Sequence, residues 1–193
     1  MKRLSIRTAP YLALAIAVAV SIMQPAHAQL SPTGNYASEA QNFGVPPQGT
    51  LHAGPPHSPT PTSILGATTI TTADLYGRLA ARQPMILLYV NGAGSPQNAF
   101  SIAGAHWLNG AGLGTSFDDQ IQARLAQKVT RLSSGNTGAP IVVFCFDSHC
   151  WLSYNVALRL EKAGYRNVLW YRGGKESWQA AGLPLTALTE EPW

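Results

Sequence analysis

The only two cysteines of the chain, Cys145 and Cys150, stand in "IVVFCFDSHCWLSYNVALRL" (141–160), with four residues between them and Trp151 directly after the second. Two thiols so placed can serve as a structural staple, a catalytic or redox pair, or a pair of soft metal ligands. Closing a loop of about six residues stabilises a fold by only about 2 kcal/mol, less than a long-range bridge would. That makes a weak staple and favours a reversible redox or persulfide role. The metal reading adds His149, beside Cys150: two thiolates and an imidazole form an N/S site suited to copper(I) or zinc. The competing reading of His149 is an exposed loop histidine. The redox reading requires no cofactor.

Position in the chain sharpens the chemistry. "IVVFC" is a continuous apolar run, as in a strand buried on both faces, and "LSYNVALRLEKAG" reads as a helix starting near Ser153 and closed by Gly164. A loop between a strand end and a helix start lies where open α/β sheets bind ligands. Its backbone N–H groups can form a nest, and the helix N-terminus adds positive potential. A thiol there is held more acidic than usual, so Cys145 is the expected nucleophile, with Cys150 close behind to resolve it. Phe146, Asp147, Ser148, His149, Trp151 and Ser153 are the surrounding loop and binding residues.

The other elements supply the frame. "ATTI" is a short strand, and "TTADLYGRLAAR" is a helix capped by Thr71 or Thr72. "MILLYV" is a second buried strand and "AHWL" a short one, separated by the long loop "NGAGSPQNAFSIAG". Residues 116–133 place Phe117, Ile121, Leu125, Val129 and Leu132 at helical spacing, with Ser116 as the N-cap and Asp118 and Asp119 at the positive end of the dipole. "NVLWY" is a strand, and "GKESWQAAG" is a last helix closed by Gly182. Strands alternating with helices indicate a parallel α/β sheet.

The ends are of different character. "MKRLSIRTAPYLALAIAVAVSIMQPAHA" has a basic start, an apolar run and a small-x-small site, the pattern of a secretory signal peptide cleaved after Ala28. No membrane span is expected after its removal. Three of the charges behind the formal +4 sit in that leader, so the mature chain is near +1. There is no basic cluster that would suggest nucleic acid. Export implies an oxidising compartment where two cysteines can pair, and the leader has a bacterial look, so the expected location is the periplasm. Residues 29–66 are rich in Pro, Gly, Ser and Thr, the composition of an extended linker or of an arm wrapped on the domain, with little apolar surface to bury. His52 and His57 look isolated within it. His106 reads as a packed or edge residue. Trp151 either shields the thiols, covers a partner's surface or packs at the helix start, and Trp107, Trp170 and Trp178 read as packing residues.

These residues carry a family resemblance. From Thr68 to Leu185, "IVVFC…NVALRLEKAGYRNVLWYRGGKESWQAAGLPL" resembles the rhodanese strand, active-site cysteine, helix and "Gly-Gly … Trp-x-x-Ala-Gly-Leu-Pro" ending, and "SIAGAHWL" resembles its "His-Ile-Pro-Gly-Ala" segment. The resemblance implies a rhodanese-like three-layer domain over 67–188, a five-stranded parallel sheet flanked by helices, with a tail at 189–193 and Cys145 at the catalytic cysteine position. The leader, "HSPTPTSILGATTITTADL", "IAGAHWLNGAGLG" and the CxxxxCW arrangement are similar to an exported branch named for a two-cysteine-tryptophan motif (CXXCW) and for association with pyrroloquinoline-quinone (PQQ)-dependent catabolism. That likeness implies a periplasmic quinoprotein dehydrogenase system, or a small thiol or sulfur substrate, as partner. The spacing of the cysteines here is longer than is usual in that branch.

Two departures bear on activity. The loop "FDSHCWL" has no Arg or Lys, and Asp147 repels a dianion such as thiosulfate; the second strand is followed by "YVNGAGSPQ" rather than Asp-x-Arg. The position where a phosphatase on this fold needs Arg is Trp151. The expectation is therefore sulfur transfer or thiol–disulfide redox chemistry at Cys145/Cys150. The alternative is a non-catalytic metal- or cofactor-carrying or docking module.

Overall fold

The computed structural model describes residues 34–193 other than 93 and 95. The expected signal peptide at 1–28 lies outside the described residues. No helix among the described residues is long and apolar enough to cross a membrane.

A five-stranded sheet is the frame. In chain order its strands are β1 (Thr68–Ile70), β2 (Ile86–Tyr89), β4 (Ala105–Trp107), β5 (Ile141–Phe144) and β6 (Val168–Tyr171). They lie side by side as β1-β6-β5-β2-β4. Every pairing in it is parallel. A small antiparallel pair, β3 (Phe100–Ser101) with β7 (Thr186–Ala187), lies apart from it. The helices are α1 (Thr72–Ala80), α2 (Gln120–Ser133), α3 (Trp151–Lys162) and α4 (Gly174–Ala180).

The apolar runs pack on both faces of the sheet because side chains alternate along each strand. From β5, Ile141 and Val143 face one core with Leu125 and Val129 of α2 and Val156 and Leu160 of α3. Val142 and Phe144 face the other, with Leu75 of α1 and Trp178 of α4. Cys145, next in the alternation, falls in the α2/α3 core.

Capping sets the helix starts. Thr71 caps α1 in a capping box: Asp74 N–H donates to Thr71 Oγ1 at 3.2 Å, and Thr71 N–H donates to Asp74 Oδ2 at 3.0 Å. The α2 start differs from expectation. Asp119, not Ser116, is the N-cap, taking the Gln122 N–H at 2.7 Å, and the helix begins at Gln120. The reason is tertiary: Arg159 of α3, fully buried, holds the Asp119 carboxylate through Nη2 at 2.7 Å and Nη1 at 3.0 Å.

The Pro/Gly-rich segment lies along the domain and, contrary to its composition, contributes Leu51 and Ile64 to the α2/α3 core. Its backbone groups pair with the domain: Gln48 N–H donates to the Tyr154 hydroxyl at 2.9 Å, and His52 N–H donates to Asn155 Oδ1 at 2.8 Å. Buried Arg172 grips it from the far end of β6, with Nη1 on Glu39 O at 2.7 Å and Nη2 on Thr60 O at 3.1 Å. This explains why residues 151–160 of α3 are all buried. The sheet covers one side, and the arm together with the 112–122 segment, which pairs with Asn155 and Arg159, covers the rest.

Candidate functional site

The site forms where β5 ends. Cys145 follows Phe144, and the chain turns through Phe146 to His149 before α3 begins at Trp151, two residues earlier than expected, with Cys150 as its N-cap. Cys145 and Cys150 are joined in a disulfide, with Cα atoms 6.1 Å apart. Both are buried, Cys145 at 1% exposure and Cys150 at 5%. Cys150 lines a cavity of about 510 Å³ together with Pro56, His57, Asn91, Phe146 and Leu152, whereas Cys145 is not among its lining residues.

The loop is held by its carbonyls. Lys175 N–H and Glu176 N–H donate to Cys145 O and Phe146 O at 3.1 and 2.9 Å. That approach is close enough to require glycine at 174: its φ is +60°, and a Cβ there would sit 2.6 Å from both carbonyl oxygens. The arm takes the other side, with Ser58 N–H on His149 O at 2.8 Å and the Thr60 hydroxyl on Ser148 O at 2.6 Å. Ser38 and Ser148 share a hydroxyl hydrogen bond at 2.6 Å.

The nest of free N–H groups expected around Cys145 is not formed by the last three residues of the turn. His149 N–H donates to Asp147 Oδ1 at 2.9 Å, Cys150 N–H to Asp147 O at 3.3 Å, and Trp151 N–H to Pro56 O at 2.9 Å. Asp147, only 8% exposed, thus fills the turn from within, and the arm takes the N–H at the helix start. What remains at that start is the dipole of a twelve-residue helix, and it acts on Cys150.

The surrounding side chains are arranged as follows. Asn91, at the end of β2, places Oδ1 3.7 Å from Cys145 Sγ, where it would accept from the reduced thiol. Its orientation is fixed because Nδ2 donates to the Tyr89 hydroxyl at 3.1 Å and to Asn98 Oδ1 at 2.9 Å. Burial pushes the Tyr89 hydroxyl up to about 12, against the smaller opposing effect of the Asn91 hydrogen bond. Trp151 is buried under His52, their rings stacked at 4.0 Å and 9°. It packs at the helix start, 3% exposed. Ser153 is a packing residue too, accepting from Trp170 Nε1 at 3.0 Å. His149 is half-buried rather than free in solvent, against Phe43 at 4.6 Å and His57 at 5.6 Å between ring centroids. His57, from the arm, bridges to the Cys150 backbone and brings Nδ1 to 3.9 Å from Asp147.

For metal, the residues present fit poorly in this state. Both sulfurs of the expected Cys145, Cys150 and His149 set are tied in the disulfide, and no group of three or more metal-ligating side chains occurs among the described residues.

Asn91 was legible in principle, since it ends the strand beside β5. His57, His52 and Lys175 carried no local signal: the first two are bound by long-range backbone pairing, and the third lies in a helix of ordinary composition. His106 is on the edge strand, with Nδ1 2.7 Å from Glu191. Trp193, without a role in the sequence, donates from Nε1 to Asn109 O at 3.0 Å under the Arg124 guanidinium.

Comparison with known proteins places this geometry. No curated protein matches the chain. Among solved structures it is similar to a full-length protein from Lactobacillus plantarum (21% identity, 62% of this chain and 88% of that one, TM-score 0.47). It is also similar to a thiosulfate sulfurtransferase from Pseudomonas aeruginosa (20% identity, 64% of this chain but only 21% of that one, TM-score 0.45). A third is the polysulfide-sulfur transferase homodimer from Wolinella succinogenes (16% identity, 63% and 79%, TM-score 0.43). The family model described as "Rhodanese-like domain" matches residues 71–181, more than half of the chain, from the cap of α1 to the end of α4. The chain belongs to the rhodanese-like domain family.

Proposed function

We propose that this protein performs thiol–disulfide exchange through Cys145 and Cys150, with sulfur transfer as the variant in which a persulfide replaces the mixed disulfide. The observation that carries the reading is the disulfide itself, with Cys150 among the residues lining a cavity. On that basis the proposal takes the roles in the reverse of the order expected from the strand end. An incoming thiolate reaches Cys150 Sγ from the cavity and forms a mixed disulfide there. The S–S bond breaks, its electron pair goes to Cys145 Sγ, and that sulfur takes up the proton the incoming thiol released. A second thiol then displaces Cys150, giving an external disulfide and two protein thiols. In the reverse direction Cys150, at the helix N-cap, is the attacking thiolate, and Cys145 resolves.

The finer setting is part of the same proposal. The leader, the "HSPTPTSILGATTITTADL" stretch and the CxxxxCW arrangement support a periplasmic protein serving PQQ-dependent alcohol catabolism. Covalent capture tests that setting: Cys145→Ser expressed with its leader should retain a periplasmic partner as a mixed disulfide on Cys150. Capture of cytosolic proteins only would contradict the location.

The exchange reading is tested by counting free thiols by mass spectrometry, with and without reductant, on protein isolated from the exported fraction. The expected result is no free thiol before reduction and two after, with a potential well above about −300 mV, the region where structural bridges lie. Quantitative labelling of both thiols without reductant, or a lower potential, would remove the redox role.

A second expected result concerns thiosulfate. Turnover of thiosulfate with cyanide should be weak or absent, since Cys145 is 1% exposed and tied in the disulfide, and Asp147 lies in the loop. At an effective dielectric of about 20, unit charges about 5 Å apart interact by roughly 3 kcal/mol, so Asp147 opposes a dianion held within the cysteine loop itself. Robust turnover at millimolar thiosulfate would contradict the assignment.

A further inference from the structure

Lys175 is a cation in an unusual place. It is 1% exposed, and no carboxylate pairs with it among the described residues. Its Nζ donates to the backbone carbonyls of Gln97 and Phe100. The Tyr89 and Phe146 rings flank it at 5.6 and 5.4 Å. An ammonium has three donors, and among the described residues two of them are taken by those carbonyls. Burying a cation without a counter-charge is costly, and burial does push the Lys175 amine below its ordinary value. A fold carrying such a group gains most when an anion arrives to pair with it.

The space for that anion exists. Lys175 lines a cavity of about 310 Å³ whose other walls include Phe100, Phe146 and Leu185. Phe100 is 49% exposed, one of only three large apolar side chains so exposed among the described residues. Phe146 and Gln97 also line the cavity that holds Cys150, so the two spaces share a wall. An apolar slot with one buried cation, adjoining a reactive disulfide, has a definite chemical complement.

We infer that the Lys175 cavity is a substrate subsite for a carboxylate on an apolar chain, so that the thiols exchanging with Cys150 are those carrying such a carboxylate. The subsite lies outside the cysteine loop and engages a part of the substrate that does not react. Its role as a substrate site rests on the exchange reading above; its affinity for an apolar carboxylate does not.

The experiment uses the full oxidised protein and two probes of equal length, mercaptohexanoate and mercaptohexanol. Second-order rates of disulfide reduction are measured for wild type and Lys175→Met, with mercaptohexanol as the reference in each. Wild type should prefer the carboxylate probe by roughly tenfold, the scale of one charge-assisted hydrogen bond, and the ratio should fall to about one in Lys175→Met. Phe100→Ser, at the exposed rim, should slow both probes alike. In parallel, hexanoate, which has no thiol, should raise the Tm of wild type but not of Lys175→Met, and hexanol should raise neither. If neither thiol reduces the disulfide while hexanoate still stabilises only wild type, the exchange reading fails and the anion subsite stands. Equal probe ratios in the two proteins, with hexanoate no better than hexanol, would overturn the subsite.

Discussion

Replacing Cys145 by serine should leave a single reactive thiol at Cys150 that is alkylated rapidly at neutral pH and traps a stable mixed disulfide, whereas Cys150→Ser should leave a Cys145 thiol that does neither. Two effects separate them. The first is ionisation: Cys150 is the N-cap of α3, where the helix dipole favours the thiolate, and Cys145 is 1% exposed in an apolar core beside a neutral amide. The lower pKa raises the thiolate fraction of Cys150 over that of Cys145. Because nucleophilicity falls as acidity rises, with a slope of about 0.4–0.5, roughly half of that gain on a logarithmic scale survives in the rate. The second is access: Cys150 lines the cavity and Cys145 does not, so attack on Cys145 needs local opening. Neither variant should unfold, since the short loop contributes only about 2 kcal/mol. Alkylation rate against pH, with mass spectrometry of the trapped adduct, reads both effects. Equal thiols titrating near about 8.5, together with tight copper(I) or zinc binding lost in either variant, would replace exchange with the carrier reading.

The largest stability effect should come from Asp119→Ala. Arg159 is fully buried, and its two Nη groups hold Asp119 Oδ1 and Oδ2 at 3.0 and 2.7 Å, with Leu113 O at 2.7 Å and Ser116 O at 3.0 Å. Removing the carboxylate strands a buried guanidinium and costs roughly 3–5 kcal/mol, or about 10 °C in Tm for a chain of this size. Loss of the α2 cap is contained in that figure at about 1 kcal/mol. Asp119→Asn separates the parts, since asparagine also caps a helix but carries no charge, so it should fall between wild type and alanine. The pH dependence follows with a definite sign. Burial alone would raise the Asp119 carboxyl, but the hydrogen bonds and charge of Arg159 outweigh it and hold it below its ordinary value. A carboxyl depressed in the folded state contributes stability that is present above the unfolded value near about 3.9 and lost as pH falls through the folded one. Asp119→Asn should flatten that acid limb. Glu191, held low by Lys128 and His106 against its own burial, contributes a second component of the same sign. Chemical denaturation across the acid range tests both, and an Asp119→Ala protein as stable as wild type would remove the buried pair from the account.

Local sequence pattern and tertiary contact divide this protein cleanly. The apolar runs at Ile86–Tyr89, Ile141–Phe144 and Val168–Tyr171 and the helical spacing of 120–133 need only backbone geometry and burial to be read. They place a cysteine at the end of β5 and another at the start of α3, and the parallel α/β frame follows. The cap of α1 was legible because Thr71 and Asp74 are three residues apart. The cap of α2 was not, because its choice of Asp119 over Ser116 is made by Arg159, forty residues later. The arm is the extreme case. It has no periodicity: beside a few local turns, the hydrogen bonds that seat it go to α3, Arg172 and the cysteine loop, over separations of about a hundred residues. That Cys150 lines the cavity, that the arm occupies the Trp151 N–H, and that Lys175 lies buried beside Phe146 are decided by those contacts. A sequence records which donors and acceptors exist; only the folded chain decides which of them find each other.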